Sequence, residues 1–253
     1  TWTATCSWKP ASLPRLPVAR TSGNWPTMTD RSSLDKLLDR YGLVVLGVID
    51  IPGPSRESAL VLVGNAGSAM WSSFIEAPEF FDGGPNPLDR WTRRVGSAVA
   101  SKLGAEVVFP FDGPPYPPFL EWARQTGQAF PSPLSMFIHG DHGLWHAYRF
   151  ALKMTEAPAG RAFESAHTSP CLSCPSQPCL EACPVSAFST GEYQVDACMA
   201  YLTEHTDSSC REVGCKARRA CPVGAGNQYE PAHARFHMDA FVRSGQSLSK
   251  DNL

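Results

Sequence analysis

Hydrophobic positions along the first half of the chain switch repeatedly between two periods, and each switch predicts an element. From Ser33 to Tyr41, Leu34, Leu37, Leu38 and Tyr41 recur three or four residues apart, the spacing of one helical face, with Ser32 or Ser33 available as N-cap. Leu43 to Asp50 is continuously apolar and rich in β-branched residues, which predicts a buried strand ended by Pro52-Gly53-Pro54. Ala59 to Val63 predicts a second buried strand, and Ala66 to Ala77 a short helix. The longest helix is expected from Pro87 or Leu88 to Leu103, with Trp91, Val95 and Val99 as its buried stripe. Proline at its start and Gly104 just past its end are the punctuation such a helix needs.

The pattern then shortens. Ala105 to Phe109 predicts a strand, the proline-rich residues 110–118 an irregular loop, and Phe119 to Gln125 a helix. Met136 to His139 and Leu144 to Met154 predict a strand pair around Gly140-Asp141-His142-Gly143. Strict alternation would put Trp145, Ala147 and Arg149 on one face and His146, Tyr148 and Phe150 on the other. Strands interspersed with helices predict an α+β class, an α/β sandwich over residues 29–160. Ala157-Pro158-Ala159-Gly160 interrupts the pattern, so a boundary is expected near Thr155 to Ser169. A cysteine-rich domain over 161–230 follows, and then a C-terminal helix and tail over 231–253, amphipathic from Pro231 to Ser244.

Composition narrows the functional classes. A formal net charge of −2 gives no global field toward nucleic acid or an anionic membrane. No apolar run approaches the roughly 18 residues that cross a bilayer. Residues 1–28 carry no acidic residue, and read either as a transit peptide or as a non-native extension ahead of a start at Met28. Cys6 lies in this extension and is not expected to be a ligand.

The other eight cysteines fall within 51 residues, as Cys171-x2-Cys174-x4-Cys179-x3-Cys183-Pro184, Cys198, and Cys210-x4-Cys215-x5-Cys221-Pro222. Eight thiolates are the ligand count of two four-iron, four-sulfur clusters. Such crowding without a leader pattern implies reduced thiols in a reducing, cytoplasmic compartment. Cys183-Pro184-Val185-Ser186-Ala187 and Cys221-Pro222-Val223-Gly224-Ala225 form an internal repeat. In two-cluster ferredoxins the cysteine before proline ligates the other cluster. The expected partition is therefore Cys171, Cys174, Cys179 and Cys221 on one cluster, and Cys183, Cys198, Cys210 and Cys215 on the other. The competing reading is two zinc sites of four cysteines each. Arg211, Lys216, Arg218 and Arg219 surround the second run; they would dock an acidic donor, raise a cluster potential, or lie solvated on helices.

Two resemblances extend this reading. Cys171-Leu172-Ser173-Cys174, Cys183-Pro184, Asp196-Ala197-Cys198-Met199-Ala200-Tyr201-Leu202-Thr203, Gly214-Cys215 and Cys221-Pro222 are similar to the cluster domain of epoxyqueuosine reductases, which in turn resembles that of corrinoid-dependent reductive dehalogenases. The likeness covers residues 166–226. It implies two four-iron clusters beside a cobalamin-binding domain. Where that family has a further cysteine between the positions of Cys215 and Cys221, this chain has none, and Cys210 must substitute. Ile138 to Arg149 resembles the His-x-x-x-Gly-x-Trp segment of cobalamin-processing chaperones of the methylmalonic aciduria type C class, over about residues 30–155. This implies a flavin-reductase or nitroreductase-like sandwich followed by a small ferredoxin-like domain. It also implies His139, Gly143 and Trp145 as cobalamin-binding residues, with His139 and Gly143 at the corrin face.

The residues alone leave two readings of His139, His142 and His146: core hydrogen bonding, or a ligand pocket in a loop beside aromatics. Phe109 to Phe119 could wall a large flat ligand or be a surface loop. Three functions follow as expectations. The first is a redox protein that takes electrons from a donor (a ferredoxin, flavodoxin or reductase) and reduces the cobalt of cobalamin or another corrinoid, removing its upper ligand. The second is a ferredoxin-type electron carrier. The third is a short epoxyqueuosine-reductase-like enzyme, against which the near-neutral charge weighs.

Overall fold

The computed structural model of the chain describes residues 31–52, 58–155, 158, 168–188 and 191–250. The expectations for residues 1–28, Cys6, the Gly53-Pro54 break and most of the Ala157 to Gly160 interruption lie outside these. In order, the elements are α1 (Arg31–Asp39), β1 (Val44–Asp50), β2 (Ala59–Ala66), α2 (Ala69–Ile75), α3 (Pro78–Phe81), α4 (Pro87–Leu103), β3 (Glu106–Val108), α5 (Phe119–Gln125), β4 (Ala129–Pro131), β5 (Phe137–His139) and β6 (His146–Met154). A 3₁₀ turn (Pro170–Ser173) opens the cysteine-rich part. It continues through α6 (Pro178–Glu181), α7 (Val195–Glu204), α8 (Ser209–Glu212), α9 (Lys216–Arg219), a second 3₁₀ turn (Ala225–Asn227) and α10 (Pro231–Lys250). Among the described residues, no helix is long and apolar enough to cross a membrane.

The chain is a mixed α/β protein built on a four-stranded antiparallel sheet in the order β1-β2-β6-β3. The alternation of β2 explains its central place. Val61 and Val63 face a core made with Leu34, Leu38, Met70, Phe74, Trp91 and Val95, so α1, α2 and α4 cover that side. Leu60 and Leu62 face the opposite core, closed by Phe119 and Ala123 of α5 and Ala129 of β4. A strand buried on both faces has no polar positions to spare, which is why Ala59 to Val63 reads as an unbroken apolar run. Helix α4 keeps its expected limits. It starts on Pro87 and stops at Gly104, whose φ of 62° is the left-handed cap that glycine adopts without strain.

Three expectations change. The α2 helix begins at Ala69 rather than Ala66, because β2 continues to Ala66 and pairs there with His146. The strands at 137–139 and 146–154 do not pair with each other. His139 and Gly143 exchange backbone hydrogen bonds and close a tight turn, β5 pairs with β4, and β6 enters the large sheet between β2 and β3. The faces of β6 are also not those of strict alternation. Phe150 lies opposite Val63 and Tyr148 opposite Gly64, so Arg149 is an extra, bulged residue. The bulge sends Phe150 into the α4 side and Tyr148 into the α5 side. Gly64 permits it, since a Cβ there would meet the Ala147 carbonyl oxygen at 2.0 Å.

Helix α10 joins both halves of the molecule. Its His233 stacks on Trp71 of α2 and Phe236 packs among Trp71 and Phe74, while Val242 packs with Leu202 and Cys210 of the cysteine-rich part.

Candidate metal centres and the adjoining groove

Short helices and tight turns hold the eight cysteines. Ser169 caps the first 3₁₀ turn by accepting from the Cys171 N–H, and Cys179 sits in the single turn of α6. Cys198 lies on α7, Cys210 on α8, and Cys215 is the N-cap of α9. The two Cys-Pro repeats fold alike. The third residue after each cysteine has positive φ: Ser186 at 51° and Gly224 at 67°. Only the second needs glycine for space, because a Cβ at position 224 would lie 2.4 Å from the His142 backbone.

These turns gather the cysteines into two sets. Cys171, Cys174, Cys179 and Cys221 line one small cavity of about 20 Å³ with Ile138 and Val223. Cys183, Cys198, Cys210 and Cys215 line another of about 280 Å³. Each cavity gathers cysteines from both runs, and Cys210 lies in the second. Burial, first, pushes the thiols of Cys171, Cys179, Cys198 and Cys221 upward, and that of Cys215 up to about 11. The neighbouring cysteines that push each of these further belong in every case to its own set. Among the described residues, no group of three or more His, Cys, Asp or Glu side chains is close enough to hold one metal ion.

Donors already point at several sulfurs. The Ala187 N–H donates to Cys183 Sγ at 3.3 Å. Backbone N–H groups of Arg218 and Ala217 serve Cys215, that of Val223 serves Cys221, and the Tyr193 hydroxyl serves Cys198. Such donors tune the potential of a sulfur-ligated iron centre.

The three arginines around the second set are half-buried and bonded within the protein, while Lys216 is exposed. Arg211 pairs with Asp239 of α10 at 2.8 Å and donates to the Leu202 carbonyl. Arg219 donates to the Val213 carbonyl. Arg218 donates twice to the Leu144 carbonyl, at 2.9 and 2.6 Å, and lies 4.3 Å over Trp145 and 4.5 Å over Tyr229.

Beside the second cavity runs an open groove of about 640 Å³. The two share a wall made of Ser135, Met136, Arg218, Tyr229 and His237. A further hollow of about 560 Å³, walled by Pro110, Pro117, Pro118 and Phe119, meets the groove at Leu120 and Tyr148. The proline-rich loop thus borders this hollow.

The three residues expected to bind cobalamin are all buried; His139 and Gly143, expected at the corrin face, exchange backbone hydrogen bonds in the turn, and none of the three lines the groove. Gly143 is pressed against the second Cys-Pro turn, where a Cβ would meet the Val223 carbonyl oxygen at 1.9 Å. Trp145 lines the second cysteine cavity, with its Nε1 buried and unpartnered. His139 accepts from the Asp141 and His142 N–H groups at Nδ1, at 3.1 and 3.4 Å, so its proton is on Nε2. That N–H is buried near the Leu46 carbonyl without closing a hydrogen bond, and burial lowers the imidazole pKa to about 4.

Of the three histidines in this segment, His146 is the one that lines the groove, where His237 of α10 also lies. Its Nδ1 lies 3.1 Å from the Gly143 carbonyl, which can only accept, so Nδ1 carries the proton and Nε2 keeps its lone pair. Burial lowers its pKa to about 3, so the ring is neutral. An imidazole with one N–H committed to a backbone carbonyl is the form that ligates metals. Sequence alternation could not separate His146 from His139 and His142, because the distinction lies in which nitrogen each turn occupies.

No protein-family model matches the chain, and no curated protein is significantly similar to it.

Proposed function

We propose that the chain is an iron–sulfur redox protein that binds a corrinoid, cobalamin first among them, in the groove and reduces its cobalt. The observation that carries this reading is the shared wall: one set of four cysteines and a groove sized for a large ligand are separated by single side chains, Met136, Arg218, Tyr229 and His237. A ferredoxin-type carrier has no use for such a groove.

The residues fit the proposed groups unequally. The second cysteine set surrounds room for a cluster, with sulfur-directed donors from Ala187, Arg218 and Tyr193. The first set is narrower, and its side chains must spread to admit one. For the corrinoid, His139 and Gly143 do not fit a cobalt-facing role, while His146 does. Bound clusters would supply one-electron transfer and a bound corrinoid a reducible cobalt; the protein supplies position and potential. His146 offers a neutral nitrogen at the groove. Arg218 ties the Leu144 carbonyl of the sheet domain to α9 and fixes the wall between the sites.

The test is a cobalamin titration of anaerobically prepared protein, followed by visible absorption. The reading expects conversion to the spectrum of cobalamin without its lower base, and loss of that conversion in His146→Ala. An unchanged cobalamin spectrum refutes the corrinoid part.

A further inference from the structure

The groove holds a guanidinium that has no ion-pair partner among the described residues. Arg149 is 9% exposed and lines the groove from the β6 bulge. Its Nε donates to Asn65 Oδ1 at 2.9 Å, and Asn65 is itself fixed by donating to the Tyr229 hydroxyl and the Gly67 carbonyl. The guanidinium is therefore held still. Its Nη2 is buried and without a hydrogen-bond partner. Asp89 of α4 is the carboxylate whose field reaches it, yet the two form no ion pair among the described residues.

The neighbours deepen the imbalance. The Tyr148 hydroxyl is also buried and unpartnered. Arg218 brings a second guanidinium to the same groove, and no Asp or Glu lines it among the described residues. Arg218 also borders the second cysteine set, whose thiolates would offset it; Arg149 does not. A buried cation left unpaired is costly, and an apolar residue of similar size is often neutral or better. Tyr148 and the bulged Arg149 both line the groove.

We propose that Arg149, with the Tyr148 hydroxyl and Arg218, forms an oxyanion subsite in the groove, built for a carboxylate or phosphate group of the bound ligand. A planar guanidinium fixed at Nε presents its remaining N–H groups as a fork, the geometry that carboxylate and phosphate oxygens match. Arg149 and Tyr148 stand on β6 and Arg218 on α9, and the subsite does not depend on the ligand being a corrinoid.

The test uses the full chain, prepared without air, with inorganic phosphate and acetate as probes and chloride at matched ionic strength as reference. The readout is the melting temperature across a probe titration. At least one probe is expected to raise it relative to chloride, and the stronger probe names the oxyanion class. Arg149→Met is expected to melt no lower than the parent in chloride and to lose the response. Tyr148→Phe should weaken the apparent affinity by about tenfold, the loss of one charge-assisted hydrogen-bond network member. Arg93→Gln, at an exposed arginine outside the groove, should respond as the parent does. No difference from chloride with either probe, or an undiminished response in both Arg149→Met and Tyr148→Phe, overturns the proposal. If Arg149→Met does not fold, Tyr148→Phe decides alone. A second arm compares cobalamin with cobinamide, which lacks the nucleotide phosphate. A probe response without cobalamin binding keeps the subsite and refutes the corrinoid, and cobalamin binding without a probe response does the reverse.

Discussion

Gly143 and Val223 meet so closely that a Cβ on Gly143 would lie 1.9 Å from the Val223 carbonyl oxygen. The contact is reciprocal one residue on, where a Cβ on Gly224 would lie 2.4 Å from the His142 backbone. Two positive-φ glycines thus let the turn after β5 and the second Cys-Pro turn seat against each other. Gly143→Ala should cost about 1–2 kcal/mol from the left-handed backbone alone, with the clash added to it. Denaturant melts of the anaerobic protein check this, and a change below about 0.5 kcal/mol would show that the two turns do not seat as described.

The cysteine partition makes a prediction about iron that pairs of variants can read. Cys171→Ser and Cys210→Ser should each lower iron from about eight to about four per chain. Combining Cys171→Ser with Cys221→Ser should take away no more than either alone, since both belong to one set. Combining Cys171→Ser with Cys210→Ser should remove nearly all iron. Equal losses from the two double variants would mean the sets are drawn wrongly.

Stability should fall as the medium is acidified. His139, His146, His233 and His237 have pKa values lowered, mainly by burial, to about 4, 3, 2 and 3. The unfolded chain protonates these rings near 6.5, so between there and the folded values it binds more protons than the native state. Unfolding free energy should therefore drop with falling pH, by about 1.4 kcal/mol per pH unit for each ring. His233 stacks on Trp71 and Tyr229, so His233→Phe keeps an aromatic there and should remove about one proton from the slope. Denaturant melts between pH 7 and 5 measure it; a flat profile would contradict buried neutral imidazoles.

The Tyr193 hydroxyl donates to Cys198, and a donor to a ligand sulfur favours the more negative, reduced cluster. Tyr193→Phe should lower the potential of one cluster and leave the other unmoved. Redox titration followed by electron paramagnetic resonance distinguishes the two. Equal shifts in both would argue against a specific Tyr193–Cys198 bond.

Much of this architecture is written locally in the chain. Pro87 and Gly104 bracket α4, and Phe119 to Gln125 forms α5, because caps and apolar stripes act within one helix. The cysteine sets are drawn from the rule that the cysteine before proline serves the other cluster, which puts Cys221 with the first run and Cys183 with the second. Long-range register is what stays hidden. The β4 strand is three residues long and ends in Pro131, so it carries no periodic signal. The β6 bulge shows only once Gly64 is seen against Ala147, and it decides where Tyr148, Arg149 and Phe150 point. Exchanging His139 for His146 as the imidazole that this turn gives to the groove needed the turn hydrogen bonds, which composition does not encode.

The most direct measurement is iron, zinc and acid-labile sulfide per chain, on protein produced with iron supplied and purified without air. The account predicts about eight iron and about eight sulfide with negligible zinc. About two zinc, no sulfide and a colourless sample would contradict it.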